Sequence, residues 1–243
     1  MSYPFYLIVL GLLPSVIWLL FFLKRDMHPE SPKMILKIFF YGMLAALPAA
    51  LIEMQYQRLP FGNLVFAHEW QSALFLFLNI AIGVAFVEEF LKYLVVRGKV
   101  LRHKELDEPM DLLLYMIIAA LGFAALENIF IFLSPESLFY TLGDTLALAS
   151  FRFVSATFLH ALVSGTLGFF MALSYYKTKR RKLFLTTGFS VAVLLHGLYN
   201  FSIMELEGIL KFGIPIIILS GLAIFIYFGI KYLRKLKGIC KID

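Results

Sequence analysis

Long uninterrupted apolar runs constrain this chain more than any other feature. Seven stretches, at roughly 4–23, 34–54, 70–97, 112–133, 150–175, 183–203 and 211–232, each carry about 20 mostly apolar residues. In a bilayer the backbone of such a run satisfies its N–H and C=O groups internally only as a helix or a closed barrel, and runs of this length select the helix. With 61% hydrophobic residues and 26 phenylalanines, and only short polar loops, no soluble domain fits. The expected fold is therefore an all-α polytopic membrane protein of about seven transmembrane helices, a bundle around a polar intramembrane cavity. Residues 1–243 read as a single integral membrane domain.

The net charge of +6 would suit a nucleic-acid partner, but its distribution argues otherwise. Eighteen of the 22 basic residues lie between the first and second spans, the third and fourth, the fifth and sixth, and in the tail. Arg58, Arg152 and Lys211 lie on the opposite side, and Lys92 lies within a span. Such alternation is the positive-inside pattern, which places the N-terminus outside and the C-terminus in the cytoplasm of a multi-pass cell-membrane protein. The partner expected from this pattern is the lipid bilayer, with no nucleic acid. The single cysteine, Cys240 in the tail, excludes an internal disulfide and a cysteine-based metal cluster. The N-terminus lacks a basic region and a small-residue cleavage site, so the first span is expected to be retained.

Against this apolar background a few polar groups stand out. The third span carries Asn79 and the triplet Glu88, Glu89 and Lys92, whose spacings of three and four residues bring all three along one helical edge. A charged side chain at bilayer depth costs about 2.5–3.5 kcal/mol even on lenient insertion scales. The fourth span adds Glu127 and Asn128, the fifth Thr157, His160 and Ser164, and the sixth His196, Tyr199 and Asn200. His160 and Ser164 share a helix face, as do His196 and Asn200, each pair being four residues apart. Asn79, Thr157 and Ser164 read as packing residues. Glu53 and Arg58 are expected at the outer rim, in contact with water. Arg152 reads as interfacial, two turns before His160 and able to face the same cavity. The outer stretch 134–150 suits a short amphipathic cap.

Depth provides a check. By the helical rise, Glu127 lies about 24 Å in from Asp111, His160 about 26 Å from Lys177 and His196 about 21 Å from Lys182, but Glu88 only about 13 Å from Arg97. The mismatch shrinks if the third helix continues to Arg102 and Arg97 and Lys99 snorkel. A helix ending at Arg97 would instead put the glutamates in a separate, lower site.

Each group alone has an ordinary reading: an ion pair for the glutamates with Lys92, a helix-bridging acid for Glu127, a satisfied core histidine for His160 or His196. Together, on four spans, they are the groups needed to hydrolyse an acyl bond without a covalent intermediate. A glutamate acts as general base on water, while imidazole and amide donors steady the oxyanion. No serine or cysteine occupies a nucleophile motif. No cofactor is demanded. Zinc is possible, and Glu88, Glu127, His160 and His196 would then be its ligands, although no HExxH spacing is present. A proton- or ion-coupled transporter using the same carboxylates and histidines is the alternative, disfavoured by the lack of an internal repeat. A non-catalytic scaffold is disfavoured by the intact acids.

The ordered set Glu88-Glu89-x-x-Lys92, Phe123-x-x-x-Glu127-Asn128, His160 before a small-residue run and His196-x-x-x-Asn200 resembles the PrsW family of membrane proteases, within the group that includes the CAAX prenyl endopeptidases. The family motif is often written with three glutamates, and Val87 occupies the first of those positions. The resemblance implies a membrane-embedded endopeptidase with its catalytic core in about 70–203, cleaving a membrane-anchored protein as in site-1 cleavage of an anti-sigma factor. It assigns Glu88 and Glu89 to water activation and Glu127, His160 and His196 to the catalytic cavity. Lys92, Asn128 and Asn200 would support them, Lys92 as charge partner and Asn200 at the oxyanion.

Overall fold

The computed structural model describes residues 3–25, 29–58 and 73–236. Its helices are α1 (Tyr3–Leu23), α2 (Pro32–Arg58), α3 (Ala73–Lys99), α4 (Pro109–Phe132), α5 (Leu142–Val154), α6 (Ala156–Tyr176), α7 (Arg181–Glu205) and α8 (Gly208–Leu233). Seven segments are long and apolar enough to cross a membrane, in the order expected from the sequence, and no strand occurs among the described residues. The fifth of these, Leu142–Tyr176, comprises both α5 and α6.

At the centre stands α4, buried along almost its whole length and packed on α1, α2 and α6. Its start is fixed by Pro109 at the first helical position and by the Asp111 carboxylate, which accepts the Glu108 amide at 2.7 Å. Gly42 of α2 and Gly122 of α4 let the two backbones touch. A Cβ on Gly42 would lie 2.1 Å from the Ala119 carbonyl oxygen, and one on Gly122 2.0 Å from that of Phe39. The outward faces of α2 and α8 remain apolar and open, as with Leu36 and Ile217, which is the surface that lipid covers.

Two departures from ideal helix shape the interior. In α3, Ala81–Phe86 forms a π-helical segment that ends one residue, Val87, before the acidic pair. One extra residue turns everything downstream by about 100° relative to an unbroken α-helix. Ala81, Gly83 and Ala85 make this segment thin enough to be gripped: Gly83 faces the Tyr56 ring and Ala81 abuts Gly197 of α7. Asn79 accepts a 2.6 Å hydrogen bond from Tyr56 and donates to the Phe75 carbonyl, a bridge between α2 and α3.

The other departure is at Ser155. The sequence suggests one helix over 150–175, but α5 and α6 meet at Ser155, which leaves the helical region at φ −118°, ψ −80°. Its hydroxyl donates back to the Phe151 carbonyl at 2.7 Å, a pattern that bends helices. No glycine or proline marks the break. The expected cap thus becomes a 13-residue helix, α5, opened by a Thr141–Asp144 capping box.

The depth mismatch has a physical resolution. Helix α3 stops at Lys99 rather than Arg102, yet the glutamates reach the histidines. Val100 and Leu106 are fully buried, so the chain after α3 fills part of the bundle's depth instead of lying outside it. Lys99 settles over the Tyr41 ring at 4.2 Å and Arg97 near the Tyr93 ring at 6.0 Å, so both cations rest on aromatic faces.

Candidate active site

Helix α3 presents Glu88, Glu89 and Lys92 inward. Lys92 is fully buried and is the hub: its Nζ donates to Glu89 Oε1 at 2.8 Å, to Glu88 Oε2 at 3.1 Å and to His160 Nδ1 at 2.8 Å. The Phe123 ring lies beneath the ammonium, 4.3 Å away. An ammonium has no lone pair, so His160 Nδ1 must accept, and its proton resides on Nε2. That Nε2 donates to Glu127 Oε2 at 2.7 Å.

Glu127 is fixed from its other side by Arg152 of α5, whose guanidinium meets Oε1 at 2.9 Å. Arg152 also donates to Asn128 Oδ1, while Asn128 donates to Thr157 at 3.1 Å and to the Gly11 carbonyl at 3.3 Å. Asn128 is thus a fully buried tie among α1, α4, α5 and α6. On α7, His196 Nδ1 lies 3.1 Å from Glu89 Oε1, and Ser164 donates to the other Glu89 oxygen at 2.6 Å. A carboxylate only accepts, which puts the His196 proton on Nδ1 and leaves Nε2 facing Glu88 Oε2 at 3.8 Å. The two imidazoles stand nearly perpendicular, with centroids 5.1 Å apart.

All five residues singled out from the sequence therefore converge, and four of them reach a cavity of about 340 Å3. Glu88, Glu127, His160, His196, Tyr199 and Asn200 line it, whereas Glu89 and Lys92 sit behind them. The Asn200 amide makes no hydrogen bond among the described residues and is open to the cavity. Ser164 moves from packing residue to ligand of Glu89. Arg152 belongs to the site, as its distance from His160 in sequence allowed.

Glu53 requires correction. It is not a solvated rim residue: it lines the same cavity, and its Oε1 is buried with no hydrogen-bond partner. Pro48 lies five residues earlier in α2, and no local signal in that apolar run distinguishes a rim carboxylate from one aimed inward.

A metal fits this donor set. Glu88, Glu89, His160 and His196 each offer a ligand atom within 4.8 Å of the others, and all four are buried. Ligand atoms around tetrahedral zinc at ~2.0–2.2 Å stand roughly 3.3–3.6 Å apart, close to the 3.1 Å between His196 and Glu89 and the 3.6 Å between His160 and Glu88. This group contains Glu89 where the sequence suggested Glu127. Glu127 instead holds the far side of His160, the relation in which a carboxylate orients a metal-binding imidazole. Two rearrangements are needed: Lys92 must leave the lone pair of His160 Nδ1, and His196 must move to Nε2 the Nδ1 proton that it directs at Glu89.

Residues 30–230 match the model of the PrsW family intramembrane metalloproteases. The chain belongs to the PrsW family. It is 31% identical over 204 residues to Protease PrsW of Geobacillus kaustophilus, covering 84% of this chain and 82% of that protein. Protease PrsW of Bacillus subtilis is 26% identical over 237 residues, covering 97% of both chains. Protease PrsW of Clostridioides difficile is 27% identical over 203 residues, covering 82% of this chain and 79% of that protein. No solved structure matches. This PrsW-family chain is a multi-pass membrane protease.

Proposed function

We propose that this single-domain PrsW-family protease cuts a peptide bond of a membrane-anchored protein, within the polar cavity, by water that Glu88 activates. One observation carries the reading: Glu88 Oε2 fronts the cavity while lying 3.1 Å from Lys92 Nζ, 3.6 Å from His160 Nδ1 and 3.8 Å from His196 Nε2. A base so placed takes a proton from water and is surrounded by groups that steady the charge which develops.

Each remaining residue has a share in that reaction. Lys92 holds both glutamates in place and balances part of their charge. Glu127, clamped by Arg152, orients His160, while Glu89 and Ser164 orient His196. The open Asn200 amide donates to the carbonyl oxygen as it becomes an oxyanion. Asn128 keeps Arg152 in register. A divalent ion, zinc being the best match to the donor types, would be held by His160, His196 and Glu89 and would acidify water and polarise the scissile carbonyl. Glu88 remains the proton acceptor.

The substrate class that suits a cavity inside a helix bundle is a single-span or membrane-proximal segment, and the family resemblance points to a membrane-anchored anti-sigma factor. The basic loops support an outer N-terminus and a cytoplasmic C-terminus. The test is cleavage of a tagged single-span anti-sigma factor in proteoliposomes by wild type, Glu88→Gln and Glu89→Gln. Turnover is expected to fall at least about a hundred-fold in the Glu88 variant, the scale of a lost general base, with insertion and melting unchanged. Retained turnover in both variants removes the glutamates from the mechanism. Loss of activity in a chelator, restored by zinc, identifies the ion.

A further inference from the structure

A large void among the described residues lies away from the polar cavity. It is a groove of about 700 Å3 between α1 and α8, which both rest on α6 while scarcely touching each other. Phe158 and Leu162 of α6 form its floor. Trp18 of α1 forms one wall, stacked on Phe158 with centroids 4.1 Å apart and pinned by a 2.9 Å hydrogen bond to the Phe153 carbonyl. Ala223 and Ile226 of α8 form the other wall, and the small side chain of Ala223 keeps the groove's inner end open.

Polarity is confined to one end. Arg25, Lys231 and Arg234 line the mouth, where α1 and α8 both finish. None of the three forms an ion pair with a carboxylate among the described residues. Arg25 lies over the Phe21 ring at 4.9 Å and Lys231 over the Tyr227 ring at 4.3 Å, so aromatic faces hold these cations at the mouth without neutralising them.

We propose that this groove is a binding site for one anionic phospholipid of the adjoining leaflet. Its acyl chain lies between α1 and α8, and its headgroup phosphate is held by Arg25, Lys231 and Arg234. The dimensions agree: the 11-residue separation of Ala223 and Arg234 spans about 16 Å of helix, which is half of a hydrocarbon core of about 30 Å and therefore one leaflet. The charge agrees as well. A zwitterionic lipid fills the same apolar slot but brings its own cation to a mouth that already holds three, whereas an anionic headgroup completes it. The site is independent of the protease reading, since none of its residues lines the polar cavity.

The experiment is native mass spectrometry of the full chain, released from nanodiscs holding equal amounts of phosphatidylglycerol and phosphatidylcholine with identical acyl chains. Wild type is expected to retain one phosphatidylglycerol in preference to phosphatidylcholine. Each cation changed to glutamine should lower that preference roughly five-fold, and the triple variant Arg25→Gln/Lys231→Gln/Arg234→Gln should abolish it. Arg25→Lys/Arg234→Lys, which keeps the charge, should retain it. Ala223→Phe, which fills the groove but leaves the cations, should lose the bound lipid. No preference in wild type, an unchanged preference in the triple variant, or retention by Ala223→Phe overturns the proposal. Displacement of the lipid by equimolar inorganic phosphate would mean a phosphate site without an acyl component, and would overturn it too.

Discussion

Glu127 illustrates how a residue's role depends on what stands on either side of it. Arg152 meets one of its oxygens at 2.9 Å and His160 Nε2 meets the other at 2.7 Å, so both oxygens are engaged, which in the proposed mechanism leaves the carboxylate to orient His160. Gln at this position keeps the shape but has only one carbonyl oxygen for two donors. Glu127→Gln is therefore expected to lower the cleavage rate about 10- to 100-fold, the usual effect of losing the partner that orients an imidazole, while the melting temperature changes little. Single-turnover cleavage alongside a thermal melt checks it, and an unchanged rate would show that His160 needs no such support. The identities of Glu88, Glu89, Glu127, His160 and His196 were legible in the sequence because a titratable group in an apolar run is conspicuous. Their division of labour was not. Glu88 and Glu89 are adjacent in the chain, and only the packed bundle shows that one fronts the cavity and the other backs onto His196 and Ser164.

At the scale of helices, the contact between α3 and α7 sets the distance from the acidic pair to His196. Gly197, next to that histidine, lies so close to α3 that a Cβ would stand 2.8 Å from the Ala81 Cα. The obstacle is backbone, which cannot swing aside. Gly197→Ala is expected to destabilise the protein by about 1–3 kcal/mol, as overpacking does, and to reduce activity further by separating His196 from Glu89. A melt and a cleavage assay on the same preparation measure both. An unchanged melt and full activity would show that the close approach is dispensable. Hydrophobic length gave the spans from sequence, but not the π-segment of α3 or the break at Ser155. Both arise where local hydrogen bonding competes with the regular ladder and packing decides the outcome, and neither leaves a strong residue signal.

For the molecule as a whole, orientation in the membrane governs which compartment the basic loops and the mouth of the lipid groove adjoin. The basic bias expects a cytoplasmic C-terminus. Cys240, the only cysteine, reports on it directly, although it lies outside the described residues. A membrane-impermeant maleimide should leave the protein unlabelled in intact cells and label it to completion after lysis. Labelling in intact cells would invert the topology. Burial is distributed unevenly over the bundle: the α4 span is 89% buried and the α8 span 22%. The central helix therefore carries much of the packing, while α8 relies on lipid for most of its apolar contact.

The sequence by itself determined the spans and the inventory of expensive polar groups, because the length of an apolar run and the cost of a charge within it are local properties. Tertiary structure decided depth and direction. It brought Glu53 and Arg152 to the cavity wall, set Glu89 rather than Glu127 among the metal-capable donors, and let α3 end early while its glutamates still met the histidines. Those outcomes depend on helix rotation and on how closely small residues let backbones approach, which are properties of pairs of helices and not of any one segment.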